Sequence, residues 1–302
     1  MTAVTVKNIV KTYEKGKVLA LDTLSFEVER GELFGHIGPD GAGKTSLFRI
    51  LTTLLLPDSG TATVDGLDIV KNYKAIRQRV GYMPGRFSLY QDLTVEENLS
   101  FFATIFNTSI AENYDLIKDI YVQIEPFKTR PAGKLSGGMK QKLALCCALI
   151  HAPSVLFLDE PTTGVDAVSR REFWDMLNRL KIKGITIIVS TPYMDEAALC
   201  DRVALMQNGK ILDLDTPLSI IAKFGRPLWS VRSKDMFQLL NDLRSAEFTA
   251  SCFAFGESHH LTVKNEAIGQ TEIQRFLENK NHQSIDIQQI TPSVEDCFMA
   301  LL

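Results

Sequence analysis

The sequence predicts an α/β domain with a helical insertion, followed by a smaller α+β domain. Two apolar runs, VLFL at 155–158 and ITIIVS at 185–190, have the length and composition of buried strands. The hydrophobic spacing between about 87 and 150 is instead helical, and TVEENLSFFATIF offers a capping box in Thr94 and Glu97. These patterns predict helices inserted into a strand-rich core.

A change of pattern near Thr216-Pro217 marks the start of the second domain. From there the chain reads strand, helix, strand, strand, helix, strand and a terminal helix, which is the order of a ferredoxin-like α+β fold. Just before it, Asn208-Gly209 follows the apolar run VALMQ and indicates a hairpin. We expect one domain over 1–216, with its helical part at about 87–150, and a C-terminal domain over 217–302.

The composition is that of an ordinary globular protein. Hydrophobic residues make up 45% and charged residues 23% of the 302 residues, and the net charge is only −3. That balance provides no basic surface for nucleic acid or for an anionic membrane. No window of about 18 apolar residues predicts a transmembrane helix, and the N-terminus lacks the apolar stretch of a signal peptide. We expect a cytoplasmic protein that takes any membrane part from another chain.

A glycine-rich loop lies between a predicted buried strand, ELFGHI, and a predicted helix, TSLFRILTTLLL, which we expect to continue to PDSG. The loop matches G-x-x-x-x-G-K-[ST], in which backbone N–H groups surround nucleotide phosphates. In this pattern Lys44 binds the terminal phosphates and the hydroxyl of Thr45 is a ligand for Mg²⁺. The loop consists of Gly38, Pro39, Asp40, Gly41, Ala42, Gly43, Lys44 and Thr45.

A pair of acids ends the apolar run VLFLD and suggests the same chemistry. Asp159 is predicted to hold the Mg²⁺ shell and Glu160 to polarise an attacking water. The alternative is a strand that simply ends in two acids, which the presence of the glycine loop disfavours. Lys44 and Glu160 are therefore the predicted catalytic residues, and Thr45 and Asp159 the predicted metal ligands.

The segment LSGGM at 135–139 precedes a helical run and resembles LSGGQ, the signature motif of the ATP-binding cassette (ABC) family. Ser136, Gly137 and Gly138 at a helix N-terminus form an anion-binding end suited to a γ-phosphate. In that family the signature of one subunit covers the phosphate loop of another. The resemblance implies the P-loop ABC ATPase fold and a head-to-tail dimer, with a second ABC ATPase subunit and ATP at the interface.

The resemblance covers about 1–216 and implies further nucleotide contacts. Tyr13 lies where the family has an aromatic residue that stacks on adenine, although an isolated tyrosine equally fits a packing role. Asp166 resembles the aspartate that communicates across the dimer. Ser46 follows the phosphate loop directly and belongs to the same binding set. ATP and Mg²⁺ are the expected cofactors.

Two positions depart from the family pattern. Gly85 stands where the family usually has a glutamine that senses Mg²⁺ and the attacking water, and Pro192 where it has a histidine that contacts the γ-phosphate. Loss of one transition-state contact costs about 2.7–4 kcal/mol. Because the signature motif is intact, we interpret the chain as the slow half of an asymmetric heterodimer whose partner site is active. A homodimer in which Glu160 suffices is the alternative.

Three segments, GYMPGRFSLYQDLTVEENL, STPYMDEA and PSVEDCFMALL, resemble the ATP-binding subunits of ABC-2-type exporters. That resemblance implies export through a separate permease, with this chain peripheral on the inner face of the cell membrane. Phe87, Leu89 and Tyr90 are the predicted docking residues, unless they only pack the helical insertion. Two alternatives remain: a soluble cassette ATPase acting on ribosomes or DNA, and a regulator that binds nucleotide but barely hydrolyses it. For the C-terminal domain the family suggests a dimerisation or regulatory role.

Overall fold

The structure, a computed structural model, describes residues 1–265 and 267–302. Over these ranges the chain divides into two compact units, Met1–Pro217 and Leu218–Leu302. No helix within them is both long enough and apolar enough to span a bilayer.

The strands are β1 (Thr2–Tyr13), β2 (Val18–Glu29), β3 (Leu33–Ile37), β4 (Ser59–Val64), β5 (Leu67–Asp68), β6 (Val80–Met83), β7 (Val155–Asp159), β8 (Thr186–Thr191), β9 (Arg202–Gln207), β10 (Lys210–Asp215), β11 (Leu228–Arg232), β12 (Thr249–Phe255), β13 (Ser258–Val263) and β14 (Asp286–Ile290). The helices are α1 (Lys44–Leu51), α2 (Tyr73–Arg77), α3 (Val95–Ile105), α4 (Tyr114–Tyr121), α5 (Gly137–Leu149), α6 (Ala167–Ile182), α7 (Pro217–Ala222), α8 (Met236–Ser245), α9 (Gln270–Asn279) and α10 (Val294–Leu301).

The core of the larger unit is a six-stranded sheet with the order β10-β9-β3-β8-β7-β6. Strands β9, β3, β8, β7 and β6 run parallel, and β10 is antiparallel to β9. Every residue of β3, β7 and β8 is buried, as expected for a parallel sheet that is covered on both faces. The predicted α/β core is confirmed, and the carboxyl ends of these three strands meet at one edge of the sheet.

A second, antiparallel sheet (β2-β1-β4-β5) and the inserted helices α3, α4 and α5 also belong to this unit. Helix α3 begins at the predicted capping box. The Glu97 N–H donates to the Thr94 hydroxyl at 3.2 Å, and the Thr94 N–H donates to the Glu97 carboxylate at 2.8 Å. The β9–β10 hairpin turns at Asn208 and Gly209, whose φ angles of 50° and 75° are those a two-residue type I′ turn requires.

Helix α1 is shorter than the sequence predicts. It ends at Leu51, whereas the apolar spacing predicts a helix that continues to PDSG at 57–60. Thr53 adopts a φ of 64°, a left-handed conformation that does not continue a right-handed helix. Leu54 and Leu56 are exposed, so their apolar character does not reflect packing within a longer helix.

The smaller unit contains an antiparallel sheet with the order β12-β13-β11-β14 together with helices α8 and α9. Numbered along the chain, its four strands lie in the order 2-3-1-4, and the sequence of elements is β-α-β-β-α-β, as in a ferredoxin-like fold. This agrees with the predicted α+β class. The residues of its hydrophobic core are Trp229, Val231, Leu239, Leu243, Cys252, Leu261, Val263, Ile273, Leu277 and Ile287.

A histidine lies at the centre of the larger unit. His36 of β3 is fully buried, and its ring centroid lies 4.8, 5.2 and 5.9 Å from those of Phe26, Phe34 and Phe48. Burial, and to a smaller extent the charge of Lys44, lowers the pKa of His36 to about 3. The ring is therefore neutral in the folded protein at neutral pH.

We expect His36 to make the fold sensitive to acid. In the unfolded chain a histidine binds its proton near pH 6.5, whereas in the folded chain it does so only near pH 3. Between these values the unfolded state binds more protons, so the free energy of unfolding falls as the pH falls, by about 1.4 kcal/mol per pH unit. Urea unfolding of the wild type and of His36→Phe between pH 7.5 and 4.5 measures this effect. The phenylalanine variant should become relatively more stable as the pH falls, and a pH-independent difference would contradict the assignment.

Candidate functional site

The glycine-rich loop runs from the end of β3, a central strand of the sheet, into the first turn of α1. Gly43 has a φ of 104°, a conformation that side chains disfavour, and a Cβ there would collide with the carbonyl oxygen of Ala20. A Cβ at Gly38 would collide with the carbonyl oxygen of Met206 in β9. The loop therefore needs glycine at both positions in order to lie close to its neighbours. Asp40, at the tip, is exposed to solvent.

Lys44 is held inside this loop. Its side chain is 3% exposed, and Nζ donates to the carbonyl oxygens of Gly38 at 2.7 Å and Pro39 at 3.0 Å. The same Nζ lies 3.3 Å from Oε1 of Glu160. The two residues predicted to be catalytic are therefore in direct contact, although 116 positions separate them (160 minus 44).

Asp159, at the end of β7, is the centre of a hydrogen-bonded group. Its Oδ1 accepts from the hydroxyl of Thr45 at 3.2 Å and from the hydroxyl of Ser190 at 2.6 Å. The N–H of Glu160 donates to the carbonyl oxygen of Ser190 at 3.0 Å and to its hydroxyl at 3.1 Å. Glu160 has a φ of 49°, so these two bonds stabilise an unusual backbone conformation.

Ser190 is a site residue that the sequence reasoning missed. It belongs to β8, which pairs with both β3 and β7. The sequence does contain a signal for it, namely a residue with a hydroxyl group near the carboxyl end of an apolar strand. In a parallel sheet, side chains at that end of the strands bind ligands. What the sequence does not give is the order of the strands, which puts Ser190 beside Asp159.

The oxygen atoms around Asp159 suit a hard divalent cation. Mg²⁺ prefers carboxylate and hydroxyl oxygens and usually keeps only one or two protein ligands beside substrate phosphates. The Thr45 hydroxyl and the Asp159 carboxylate provide such a pair. Within residues 1–265 and 267–302 no group of three or more His, Cys, Asp or Glu residues forms a metal site.

Tyr13, at the end of β1, borders the same loop. Its hydroxyl lies 3.0 Å from the hydroxyl of Ser46 in the first turn of α1, and about a third of the residue is exposed. The tyrosine is therefore tied to the helix that follows the phosphate loop, and part of its surface remains open to a ligand.

The signature segment forms the N-terminus of α5. Ser136 is exposed, and its hydroxyl accepts the N–H of Met139 at 3.4 Å, while Gly137 and Gly138 occupy the first turn. Asp166 similarly begins α6, since its Oδ1 accepts the N–H groups of Val168 and Ser169 at 3.1 and 3.0 Å. These hydrogen bonds hold the pKa of Asp166 below its usual value, and the largest contribution comes from the backbone N–H of Ser169.

Gly85 borders the acid pair directly. A Cβ built on it would lie 3.1 Å from the carbonyl oxygen of Asp159 and 3.7 Å from the Cβ of Glu160. Pro192 follows β8 and stands two residues beyond Ser190. Neither residue has a side-chain group that donates or accepts a hydrogen bond.

A glycine-rich loop on a central parallel strand, with a buried lysine and an acid pair on a neighbouring strand, defines a phosphate-loop nucleotide-binding protein. The profile described as ABC transporter matches residues 21–163. The doxorubicin resistance ATP-binding protein DrrA of Mycobacterium tuberculosis is 32% identical over 314 residues, covering 99% of this chain and 93% of DrrA. The chain belongs to the ABC transporter family.

Two further comparisons support this membership. The probable multidrug ABC transporter ATP-binding protein YbhF of Escherichia coli K12 is 40% identical over 287 residues, covering 94% of this chain and 49% of YbhF, so the chain spans about half the length of YbhF. The ATP-binding cassette MJ0796, solved as a dimer in a post-hydrolysis state with ADP and Pi, superposes with a TM-score of 0.64 at 25% identity. That match covers 70% of this chain and 98% of MJ0796. Over most of its length the chain is thus similar to a solved ATP-binding cassette.

Proposed function

We propose that this chain binds and hydrolyses ATP to power a separate ABC-2-type membrane permease in export. The observation that carries the proposal is the contact of Glu160 with Lys44, inside a loop built for phosphate. The relative YbhF is a probable multidrug ABC transporter ATP-binding protein, and DrrA is a doxorubicin resistance ATP-binding protein. The similarity to these two proteins favours a drug-like molecule as the exported cargo. The cargo passes through the permease and is not bound by this chain.

Each site residue has a distinct role in the proposed reaction. The loop from Gly38 to Thr45 binds the phosphates through its N–H groups, and Lys44 moves its charge from the loop carbonyls to the terminal phosphates. The ring of Tyr13 stacks on adenine, with Ser46 beside it. Glu160 polarises the attacking water. Thr45 and Asp159 hold Mg²⁺, which when bound neutralises charge on the phosphates.

We further propose that catalysis takes place in a head-to-tail dimer with a second ABC ATPase subunit. The exposed N-terminus of α5, with Ser136, Gly137 and Gly138, completes the phosphate site of the partner, and Asp166 lies on the segment that contacts it. Subunits of this family generally dimerise and associate with permeases. Because Gly85 and Pro192 lack polar side chains, the site on this chain is the slow one, which favours a heterodimer over a homodimer.

The proposed docking surface for the permease lies beside Gly85. It is a groove of about 610 Å³ between the sheet and the inserted helices, lined mostly by apolar residues that include Met83, Leu89, Phe102 and Ile105. Of the predicted docking residues, Leu89 lines this groove and is buried, and Tyr90 is 52% exposed. The groove would hold the chain on the inner face of the cell membrane.

We expect Phe87→Ala with Tyr90→Ala to release the chain from its permease. The ring of Phe87 lies under the Lys140 ammonium, and that of Tyr90 contacts Phe101 edge-on. Both residues directly flank Ser88 and Leu89, which line the groove. The measurement is sedimentation with membrane vesicles of the cell that makes the protein. Tyr73→Ala, another exposed aromatic residue, is the control. Undiminished sedimentation of the double variant would remove this surface from the proposal.

ATP turnover by the purified chain is the test of the main proposal. We expect tight ATP binding with slow phosphate release, and loss of the remaining release in Glu160→Gln. Fast, Glu160-dependent turnover without any second ATPase would establish a self-sufficient homodimer and contradict the heterodimer. Absence of ATP binding would contradict the proposed function as a whole.

The smaller unit is proposed to regulate or dimerise the protein. Its ferredoxin-like sheet has its own hydrophobic core, formed by residues such as Trp229 and Leu261. Removal of 218–302 should therefore change the fraction of dimer in sedimentation, while ATP affinity stays the same.

A further inference from the structure

We infer that Glu196 and Arg170 are positioning residues for Glu160, an inference that rests on the proposed ATPase activity. Glu196 lies on the 3-10 segment Met194–Leu199, four residues after Pro192. It is 1% exposed, and nothing in the sequence distinguishes it from the many acids on the surface of the protein.

The carboxylate of Glu196 is only partly satisfied. Its Oε1 accepts from the hydroxyl of Thr162 at 2.8 Å and lies 3.8 Å from Nε of Arg170. Its Oε2 is buried and has no hydrogen-bond partner among the described residues. A buried carboxylate is unfavourable unless both oxygens are paired, and an apolar side chain of the same volume would pack here without that cost. Packing alone therefore does not account for a charge at this position.

The partners of Glu196 belong to segments that carry proposed site residues. Thr162, itself 1% exposed, stands two residues after Glu160. The two are joined by a tight turn in which the N–H of Thr163 donates to the carbonyl oxygen of Glu160 at 3.2 Å. Any displacement of Thr162 is therefore transmitted to Glu160. Arg170 lies in the first turn of α6, where its N–H donates to the carbonyl oxygen of Asp166 at 2.9 Å.

Arg170 also holds the segment that follows Pro192. Its Nη2 donates to Oδ2 of Asp195 at 2.9 Å, and its guanidinium lies 5.0 Å above the ring of Tyr193. Glu196 and Arg170 thus connect two segments of the chain. One is the loop 160–166, and the other begins at Pro192, where the family has its phosphate-contacting histidine.

The position of Glu160 depends on this connection for a specific reason. Gly85 and Pro192 provide no side chain that could orient the acid or its water, and Glu160 itself has a strained φ of 49°. Apart from its contact with Lys44 and the hydrogen bonds of its N–H to Ser190, its direction therefore depends on the loop that follows it. A displacement of about 1 Å at a reacting group lowers a rate on the order of 10²-fold, so a loop that is no longer fixed would be visible in turnover.

The experiment compares single-turnover ATP hydrolysis in Glu196→Gln, which keeps the shape and removes the charge, and in Thr162→Val, which removes the hydroxyl. Thr162→Ser is the conservative variant. Lys181→Met is the matched control, since it breaks the 2.8 Å ion pair with Asp201 near the other end of α6. We expect the first two variants to lower the rate constant on the order of 10-fold or more. ATP affinity should stay within about twofold, as a positioning role requires, and Thr162→Ser and Lys181→Met should behave as the unmodified chain.

Amide hydrogen exchange of 160–166 provides a second readout, because local opening of this loop is measurable without turnover. Exchange there should be faster in Glu196→Gln and Thr162→Val, and unchanged in Lys181→Met. If the unmodified chain hydrolyses no ATP, the proposed ATPase activity fails, and the exchange data still decide whether Glu196 fixes the loop. Unchanged exchange and rate in Glu196→Gln would overturn the inference. So would parallel losses of ATP affinity and thermal stability in all variants, which would indicate a purely structural role.

Discussion

The variant Gly85→Gln with Pro192→His is expected to hydrolyse ATP faster than the unmodified chain by at least on the order of 10²-fold. Each substitution restores a polar side chain at a position where the family contacts the attacking water or the γ-phosphate. One such contact in the transition state is worth about 2.7–4 kcal/mol. Phosphate release by the two single variants and the double variant, measured at saturating ATP, tests the expectation.

The geometry at Gly85 limits how the glutamine is accommodated. A Cβ there lies 3.1 Å from the carbonyl oxygen of Asp159, so the loop must move by a few tenths of an ångström. Gly85 and Arg86 are exposed, which leaves room for that movement. Adding Glu160→Gln to the double variant is the control, because a gain that arises at this site must then disappear. Unmodified protein as fast as the double variant would show that the site is complete without these two side chains.

Replacement of Lys44 by alanine is expected to raise the dissociation constant for ATP on the order of 10- to 100-fold. The variant loses a charge-assisted contact to the phosphates, worth about 1.5–3 kcal/mol. It also removes the Lys44 donor from the carbonyl oxygens of Gly38 and Pro39, of which Pro39 keeps the N–H of Ala42, so the loop loses part of its inner support. Titration with a fluorescent ATP analogue provides the measurement.

The matched control for Lys44 is Lys118→Ala. Lys118 forms an exposed ion pair with Asp115 on α4, and such surface pairs contribute little. Thermal unfolding of both variants without nucleotide separates a loss of binding from a loss of folding. ATP affinity that is unchanged in a folded Lys44→Ala protein would exclude the glycine-rich loop as the phosphate site.

Features that depend on neighbours in sequence could be predicted from the sequence. The glycine loop between strand and helix, the capping box of Thr94 and Glu97 and the hairpin at Asn208-Gly209 are all formed within a few residues. The end of α1 was predicted wrongly, because the apolar residues after Leu51 continue the helical spacing while Thr53 leaves the helical conformation.

The sequence by itself determined the α/β class, the order of the motifs and the chemical types of the site residues, because these follow from local propensity and from residue identity. Only the tertiary structure decided which side chains meet. Ser190 lies beside Asp159 at a separation of 31 residues, and Glu196 beside Thr162 at a separation of 34. These contacts depend on the order of strands in the sheet, and that order is set by long-range packing, which no local pattern in the chain encodes.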